Sequence, residues 1–402
     1  MNDLLLNAMK VVKLTPLNHQ EVISQTMAVL KSGGLVVFPS DTVYGLLADA
    51  QNPQAVSKLL SFKERRPGQA ISVFVTGQKM AEDYIFLNQN AQNVIKNLLP
   101  GPFTVIAESK HQTDPRLEAE NKTLGIRIPD FPLILNLVEQ YGKPVTATSA
   151  NLSGKPPHYS INSFLKSFDL ARPGLAGMPG QALQKLPKKL ELIGLIVDAG
   201  NLPKNKPSTV IDTTTGQLKT LRIGDLLPQT PNSLISNSEE ETKQLARFLA
   251  TKLIKKCAGK PIIFLLKGDL GTGKTIFAKG LGEVLKVQEK IVSPTFNICN
   301  EYQIKHTSDS VSGVIQSVNK SVCQNISKFI HCDFYRIESR LEFEELGIFK
   351  ELVCGNVYVI EWPERMPAEI ISALQNRAEI IYLKLHHTGT KSRLIEWGFS
   401  VK

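Results

Sequence analysis

Eight consecutive residues, Gly268-Asp269-Leu270-Gly271-Thr272-Gly273-Lys274-Thr275, have the types and spacing of a phosphate-binding loop, G-x-x-x-x-G-K-T. The backbone of such a loop folds tightly and turns its N–H groups inward onto phosphates, which side chains at Gly268, Gly271 and Gly273 would obstruct. Lys274 then reaches the terminal phosphates and Thr275 a Mg²⁺. An apolar strand-like run at 261–267 precedes the loop and a helical pattern at 276–285 follows it, the context the motif requires. This half of the chain is therefore expected to hold a nucleoside triphosphate. Two carboxylates, Asp333 and Glu361, each end a further apolar strand. In folds of this kind the strand ends converge on the phosphate site, where an acid binds Mg²⁺ directly or through water and orients the attacking water.

The elements that must position these groups fall into two sets. From about 11 to 226, apolar strand runs at 35–38, 71–75, 145–148 and 195–197 alternate with helical stretches such as 21–31, which argues an α/β domain. Residues 227–238 collect Pro228, Pro231, Asn232, Ser233, Ser236, Asn237 and Ser238 with little periodicity, the composition of a linker. Ser238 and Glu241 then have capping-box spacing ahead of Leu245, Phe248, Leu249 and Leu253, and a second α/β domain is expected over 239–402, with strands at 329–334, 357–360 and 380–385. A serine-rich stretch at 303–328 reads as a mobile surface insertion. No internal repeat is visible, so the halves are unlike domains.

At 402 residues the chain is long for one core, and 42% hydrophobic content with 21% charge describes ordinary globular protein. No apolar run approaches the roughly 18 residues that a membrane span needs. Residues 1–15 lack a secretory pattern, so a soluble cytoplasmic protein with no membrane partner is expected. The five cysteines, Cys257, Cys299, Cys323, Cys332 and Cys354, show no metal spacing and read as reduced thiols. A formal charge of +10 fits an anionic partner, nucleotide or nucleic acid, although a solvated lysine-rich face would produce the same balance.

Around the phosphate loop stand Ser293-Pro294-Thr295-Phe296, His331-Cys332-Asp333-Phe334-Tyr335-Arg336, the EFEELGI run at 342–348 and Glu361-Trp362-Pro363. In this order they resemble the TsaE family of small ATPases over most of 239–385. The resemblance implies a C-terminal P-loop NTPase domain in which residues 268–275 bind ATP. It implies that Thr275 and Glu361 serve the metal, and that Asp333 assists hydrolysis, unless Asp333 only caps its loop by bonding backbone N–H groups. The segment 293–296 resembles a nucleotide-sensing switch, or is a plain turn containing proline.

In the first half, Pro39-Ser40-Asp41-Thr42-Val43-Tyr44-Gly45-Leu46, Lys63-Glu64-Arg65, Gly125-Ile126-Arg127-Ile128-Pro129, Thr148-Ser149-Ala150-Asn151 and Pro207-Ser208-Thr209-Val210 with Leu221-Arg222 resemble the YrdC/TsaC family of threonylcarbamoyl-adenylate synthases over roughly 15–226. That family joins L-threonine, bicarbonate and ATP into threonylcarbamoyl-AMP and pyrophosphate. Such a reaction must hold several anions together, which suits Lys63, Arg65, Arg127 and Arg222. The resemblance implies a twisted-sheet α/β domain, threonine contacts from Thr42 and Arg127, and ATP contacts from Arg65, Thr123, Ser149 and Arg222. Asn151 and Ser208 join this set, or are turn residues bonded to backbone. Two departures concern the threonine pocket: the proline after K-x-R is shifted in Arg66-Pro67-Gly68-Gln69, and Phe74 stands where some relatives carry histidine.

Both families belong to one pathway, N6-threonylcarbamoylation of adenosine 37 in tRNA. The expected protein is bifunctional. Its first domain makes the adenylate, and its second hydrolyses ATP to support the TsaB–TsaD transfer machinery, meeting tRNA through that complex. The alternative is a nucleotide-regulated RNA-binding or assembly module, which the charge permits although no RNA-recognition signature appears. A hydrogenase-maturation carbamoyltransferase would carry C-x-x-C zinc sites, and this chain has none.

Overall fold

The computed structural model describes residues 10–65, 69–168, 187–230, 232–256, 260–304, 326–347, 352–353 and 355–399. These form two compact units that divide between Asp225 and Leu226. Among the described residues no helix is long and apolar enough to cross a membrane.

The first unit carries two mixed sheets. One runs, edge to edge, through Val11–Lys13, Ile193–Asp198, Leu35–Phe38, Gly45–Leu47 and Thr148–Ser149. The other runs through Lys219–Arg222, Thr209–Asp212, Phe103–Glu108, Thr123–Arg127, Val73–Phe74 and Val145–Thr146. Leu35–Phe38 is apolar without alternation because both of its faces are buried. It pairs with Ile193–Asp198 in parallel and with Gly45–Leu47 antiparallel, so the loop 39–44 turns the chain back on itself. Helix Pro53–Lys63 starts with proline in its first turn, capped by the Asn52 side chain, which accepts from the N–H groups of Gln54 and Ala55. The helix stops at Lys63, where Glu64 adopts a left-handed conformation, and so delivers Lys63 and Arg65 at its C-terminal end.

The second unit is one eight-stranded sheet in the order Leu227–Thr230, Ser233–Ser236, Arg393–Phe399, Glu379–His387, Ile262–Lys267, Asn356–Glu361, Lys328–Asp333 and Cys299–Gln303. The four central strands from Glu379–His387 to Lys328–Asp333 are parallel, and the flanking strands pair antiparallel. Ile262–Lys267 has a parallel neighbour on each side and is apolar up to the edge of the loop, as a strand buried on both faces must be. Helix Glu239–Lys256 begins at the expected cap: Ser238 Oγ accepts from Glu241 N–H at 3.1 Å, and the Glu241 carboxylate accepts from Asn237 N–H at 2.7 Å. Its buried Leu245, Leu249 and Leu253 face inward, and it crosses helix Lys274–Leu285 so closely at Gly280 that a Cβ there would lie 2.7 Å from Lys243 Cα.

Two expectations meet a different outcome here. Residues 227–238 are not a structureless connection: 227–230 and 233–236 form a hairpin whose second strand pairs with Arg393–Phe399. The partner strand lies more than 150 residues away, so local composition carried no trace of it. Cys299 and Cys332, read as reduced thiols, sit opposite each other in an antiparallel pair and are joined by a disulfide across 33 residues of sequence. Spacing along the chain shows nothing of a cross-strand neighbour. Cys257, Cys323 and Cys354 lie outside the described residues, as do Arg66, Pro67 and Gly68. The serine-rich insertion expected at 303–328 lies outside them from 305 to 325.

Candidate functional sites

In the first unit a cavity of about 660 Å³ is lined by Thr42, Lys63, Arg65, Thr123, Arg127, Ser149, Asn151, Ser208 and Arg222, so every residue expected there from the sequence is brought to one place. Their anchoring is largely backbone. Lys63 Nζ donates to the carbonyls of Ser149 and Asn151, each at 2.7 Å, with Asn151 Oδ1 at 3.5 Å. Ser149 and Asn151 thus act first as acceptors for Lys63. Arg65 donates to the Ala70 carbonyl at 2.9 Å. Arg222 Nε and Nη2 grip the carbonyl and hydroxyl of Ser208 at 2.9 and 3.0 Å, and that hydroxyl also meets Thr104 Oγ1 at 2.8 Å. Thr123 donates to Asn121 Oδ1 at 2.8 Å.

Arg127 is held from three sides. Nη2 donates to Thr42 Oγ1 at 2.9 Å and pairs with the Asp41 carboxylate, while the guanidinium lies over the Phe74 ring at 5.3 Å. Phe74 therefore acts as a platform for the arginine. Asp41 belongs to the P-S-D-T-V-Y-G segment, and nothing in its spacing marks a partner. Its role is legible only once strand Thr123–Arg127 is seen to end beside it.

The cavity gathers basic side chains of which, among the described residues, only Arg127 has a carboxylate partner. Burial pushes the Lys63 ammonium down to about 7, with the Arg65 guanidinium adding to the shift. Burial also lowers Arg65, and it lowers Arg222 with further contributions from Arg127 and Arg65. Burial raises the Asp41 carboxyl against the opposing pull of Arg127. Four positive side chains share the space with Asp212 and the paired Asp41, an arrangement that favours the entry of polyanions.

In the second unit a cavity of about 270 Å³ is lined by Leu270, Gly271, Gly273, Lys274 and Thr275 on one side and Asp333, Glu361 and Trp362 on the other. The parallel register sets Asp333 directly beside Glu361, which is why two carboxylates 28 residues apart converge. Gly268, Asp269 and Thr272 belong to the loop but do not line this cavity. The carbonyls of Gly268 and Asp269 accept from Lys274 Nζ at 2.7 and 2.9 Å, and Thr272 Oγ1 closes the turn onto the Asp269 carbonyl at 2.8 Å. Lys274 also lies over the Trp362 ring at 4.3 Å. Glycine is required at 268 and 273 for reasons beyond phosphate access. Their φ values are +152° and +97°, and a Cβ would stand 2.4 Å from the Leu385 carbonyl oxygen or 2.6 Å from Arg393 Nη1.

Thr275 Oγ1 donates to Glu361 Oε1 at 2.9 Å. Asp333 divides its oxygens: Oδ1 accepts from Tyr335 N–H at 3.0 Å, the loop-capping contact, while Oδ2 accepts from Thr295 at 2.7 Å and Ser293 at 3.4 Å. The Ser293–Thr295 pair therefore belongs to this site. Among the described residues no group of three His, Cys, Asp or Glu side chains could enclose a metal. The hydroxyl of Thr275 and the carboxylate of Glu361 are hard oxygen donors at the cavity wall, and they fit a Mg²⁺ that takes its remaining ligands from phosphates and water.

Fold and sites together define a two-module α/β protein with a cavity lined by Lys63, Arg65, Arg127 and Arg222 in one module and a loop of phosphate-binding pattern at 268–275 in the other. The Sua5/YciO/YrdC family model, described as "Telomere recombination", matches residues 28–173, and the model described as "Threonylcarbamoyl adenosine biosynthesis protein TsaE" matches 236–395. A putative threonylcarbamoyl-AMP synthase of Methanocaldococcus jannaschii is 30% identical over 220 residues, 54% of this chain and 93% of the relative. A threonylcarbamoyl-AMP synthase of Photobacterium profundum is 34% identical over 138 residues, 34% of this chain and 75% of the relative, and one of Enterobacter sp. strain 638 is 30% identical over 164 residues, 40% and 86%. The chain belongs to the threonylcarbamoyl-AMP synthase family, nucleotidyltransferases of tRNA t6A biosynthesis, and carries a TsaE domain behind the synthase domain.

Proposed function

We propose that residues 11–226 make L-threonylcarbamoyl-AMP and pyrophosphate from L-threonine, bicarbonate and ATP. The observation that carries this reading is the gathering of Lys63, Arg65, Arg127 and Arg222 around one cavity in which, among the described residues, only Arg127 is ion-paired, to Asp41, and only Asp212 adds a lining carboxylate. Arg127 with Thr42 would take the threonine carboxylate. Arg65, Thr123, Ser149, Ser208 and Arg222 would take ATP, with Asn151 holding Lys63 in place. The threonine amine condenses with bicarbonate, losing water, to give N-carboxythreonine; a carbamate oxygen of this then attacks the α-phosphorus, the bond from that phosphorus to the β-phosphate bridge breaks, and pyrophosphate leaves. Lys63 and Arg65 counter the charge that develops in this step.

Residues 239–402 would bind and hydrolyse ATP to support TsaB–TsaD, meeting tRNA through that complex. Here residues 268–275 cradle the phosphates, Thr275 and Glu361 hold Mg²⁺, and Asp333 orients the attacking water. Mg²⁺ when bound neutralises charge on the phosphates. The test is pyrophosphate release by the full chain with ATP and bicarbonate, with and without threonine, in wild type and Lys274→Ala. Threonine-dependent pyrophosphate that survives Lys274→Ala is expected. Phosphate alone, lost in Lys274→Ala, would sink the synthase reading.

A further inference from the structure

A second side chain touches the Glu361 carboxylate. His331 is fully buried on strand Lys328–Asp333, two residues before Asp333, and so presents to the same face of the sheet. Its Nε2 lies 2.9 Å from Glu361 Oε1, the same oxygen that accepts from Thr275 Oγ1 at 2.9 Å. The other ring nitrogen, Nδ1, is buried and has no hydrogen-bond partner among the described residues. A proton on Nδ1 would therefore be a buried donor with no acceptor, whereas a proton on Nε2 is received by Glu361, and the network assigns the tautomer to Nε2–H. The Phe329 ring, 6.4 Å away on the same strand face, contributes to an apolar setting for the imidazole.

We propose that His331 is a positioning residue for the nucleotide-bound cation, an inference that rests on the ATPase reading of this site. Donating from Nε2, it fixes the rotation of the Glu361 carboxylate. Oε1 is committed to two protein donors, and Oε2, which accepts no hydrogen bond among the described residues, is left for the cation or its water. Thr275 alone provides a single point of attachment, about which the carboxylate could still turn. The buried imidazole is an immobile second point of attachment.

The test is a Mg²⁺ titration of mant-ADP binding to the full chain, read by energy transfer from tryptophan. Both tryptophans, Trp362 and Trp397, lie in the second unit. His331→Leu is expected to raise the half-saturating Mg²⁺ by about 10- to 100-fold while leaving mant-ADP affinity in EDTA unchanged. His331→Gln, whose amide can reach the position of Nε2, should restore most of the Mg²⁺ response, and His331→Asn, one bond shorter, should not. An unchanged Mg²⁺ requirement in His331→Leu, an equal loss of affinity in EDTA, or identical behaviour of Gln and Asn would overturn the proposal. If the leucine variant does not fold, the Gln and Asn pair decides. A wild-type signal that ignores Mg²⁺ or persists in Lys274→Ala would instead refute the ATPase reading itself.

Discussion

Lys63 gives the sharpest handle on the first cavity, because binding there should take up a proton. In the free protein, burial and Arg65 hold its ammonium at about 7. A triphosphate beside it would return it towards the ordinary lysine value of about 10.4. The complex then binds more protons than the free protein between these limits, so binding consumes protons and weakens as pH rises. At pH 8 the free side chain would be about one-tenth protonated and the bound one almost fully, an uptake of about 0.9 proton per ATP. The same two values predict affinity about eightfold weaker at pH 8.5 than at pH 7.5. The assay is calorimetry of ATP binding to Lys274→Ala, which removes binding by the phosphate loop, in two buffers of different ionisation enthalpy. Lys63→Met in the same background corrects for protons exchanged by ATP itself. A difference between the two proteins below about 0.3 proton at pH 8 would refute the argument, since the cavity would then not be holding a lysine poised to gain charge.

Other substitutions address the remaining supports. Ser208→Ala removes the hydroxyl that Arg222 grips and should raise the KM for ATP in pyrophosphate release by about tenfold, the loss of one charge-assisted hydrogen bond, with kcat little changed; an unaltered KM would remove Arg222 from the ATP site. Gly268→Ala should abolish mant-ADP transfer from tryptophan, because its Cβ meets the backbone oxygen of Leu385 in a conformation that costs about 1–3 kcal/mol, and retention of the signal would contradict the loop geometry. Phe277→Ala empties a fully buried site against Phe264 and should lower the stability of the second unit by about 3–5 kcal/mol in denaturant unfolding followed by tryptophan, with threonine-dependent pyrophosphate release retained.

Much of the molecule is legible in the residues themselves, where chemistry is local. The phosphate loop is contiguous, so spacing alone identifies it. The helix start at Ser238 is local too, since the cap and its donor are three residues apart. Strands such as Leu35–Phe38 and Ile262–Lys267 declare themselves because burial on both faces demands unbroken apolar runs. The cationic set of the first domain was readable only through resemblance. Lys63, Arg127 and Arg222 are scattered over 160 positions, and nothing in their spacing says that they meet.

What only the tertiary structure decided are the pairings between distant strands. The hairpin at 227–236 exists because the strand Arg393–Phe399 offers it a ladder of backbone groups, so a composition that reads as a linker became part of a sheet. Cys299 meets Cys332, Asp41 meets Arg127, and His331 meets Glu361 through sheet register and loop return. A side chain's neighbours across a sheet are set by hydrogen-bond register between segments tens to hundreds of residues apart, and a linear pattern with period 2 or 3.6 carries no record of that register. The sequence by itself determined which chemistries the chain holds, and the folding of its strands determined which groups orient them.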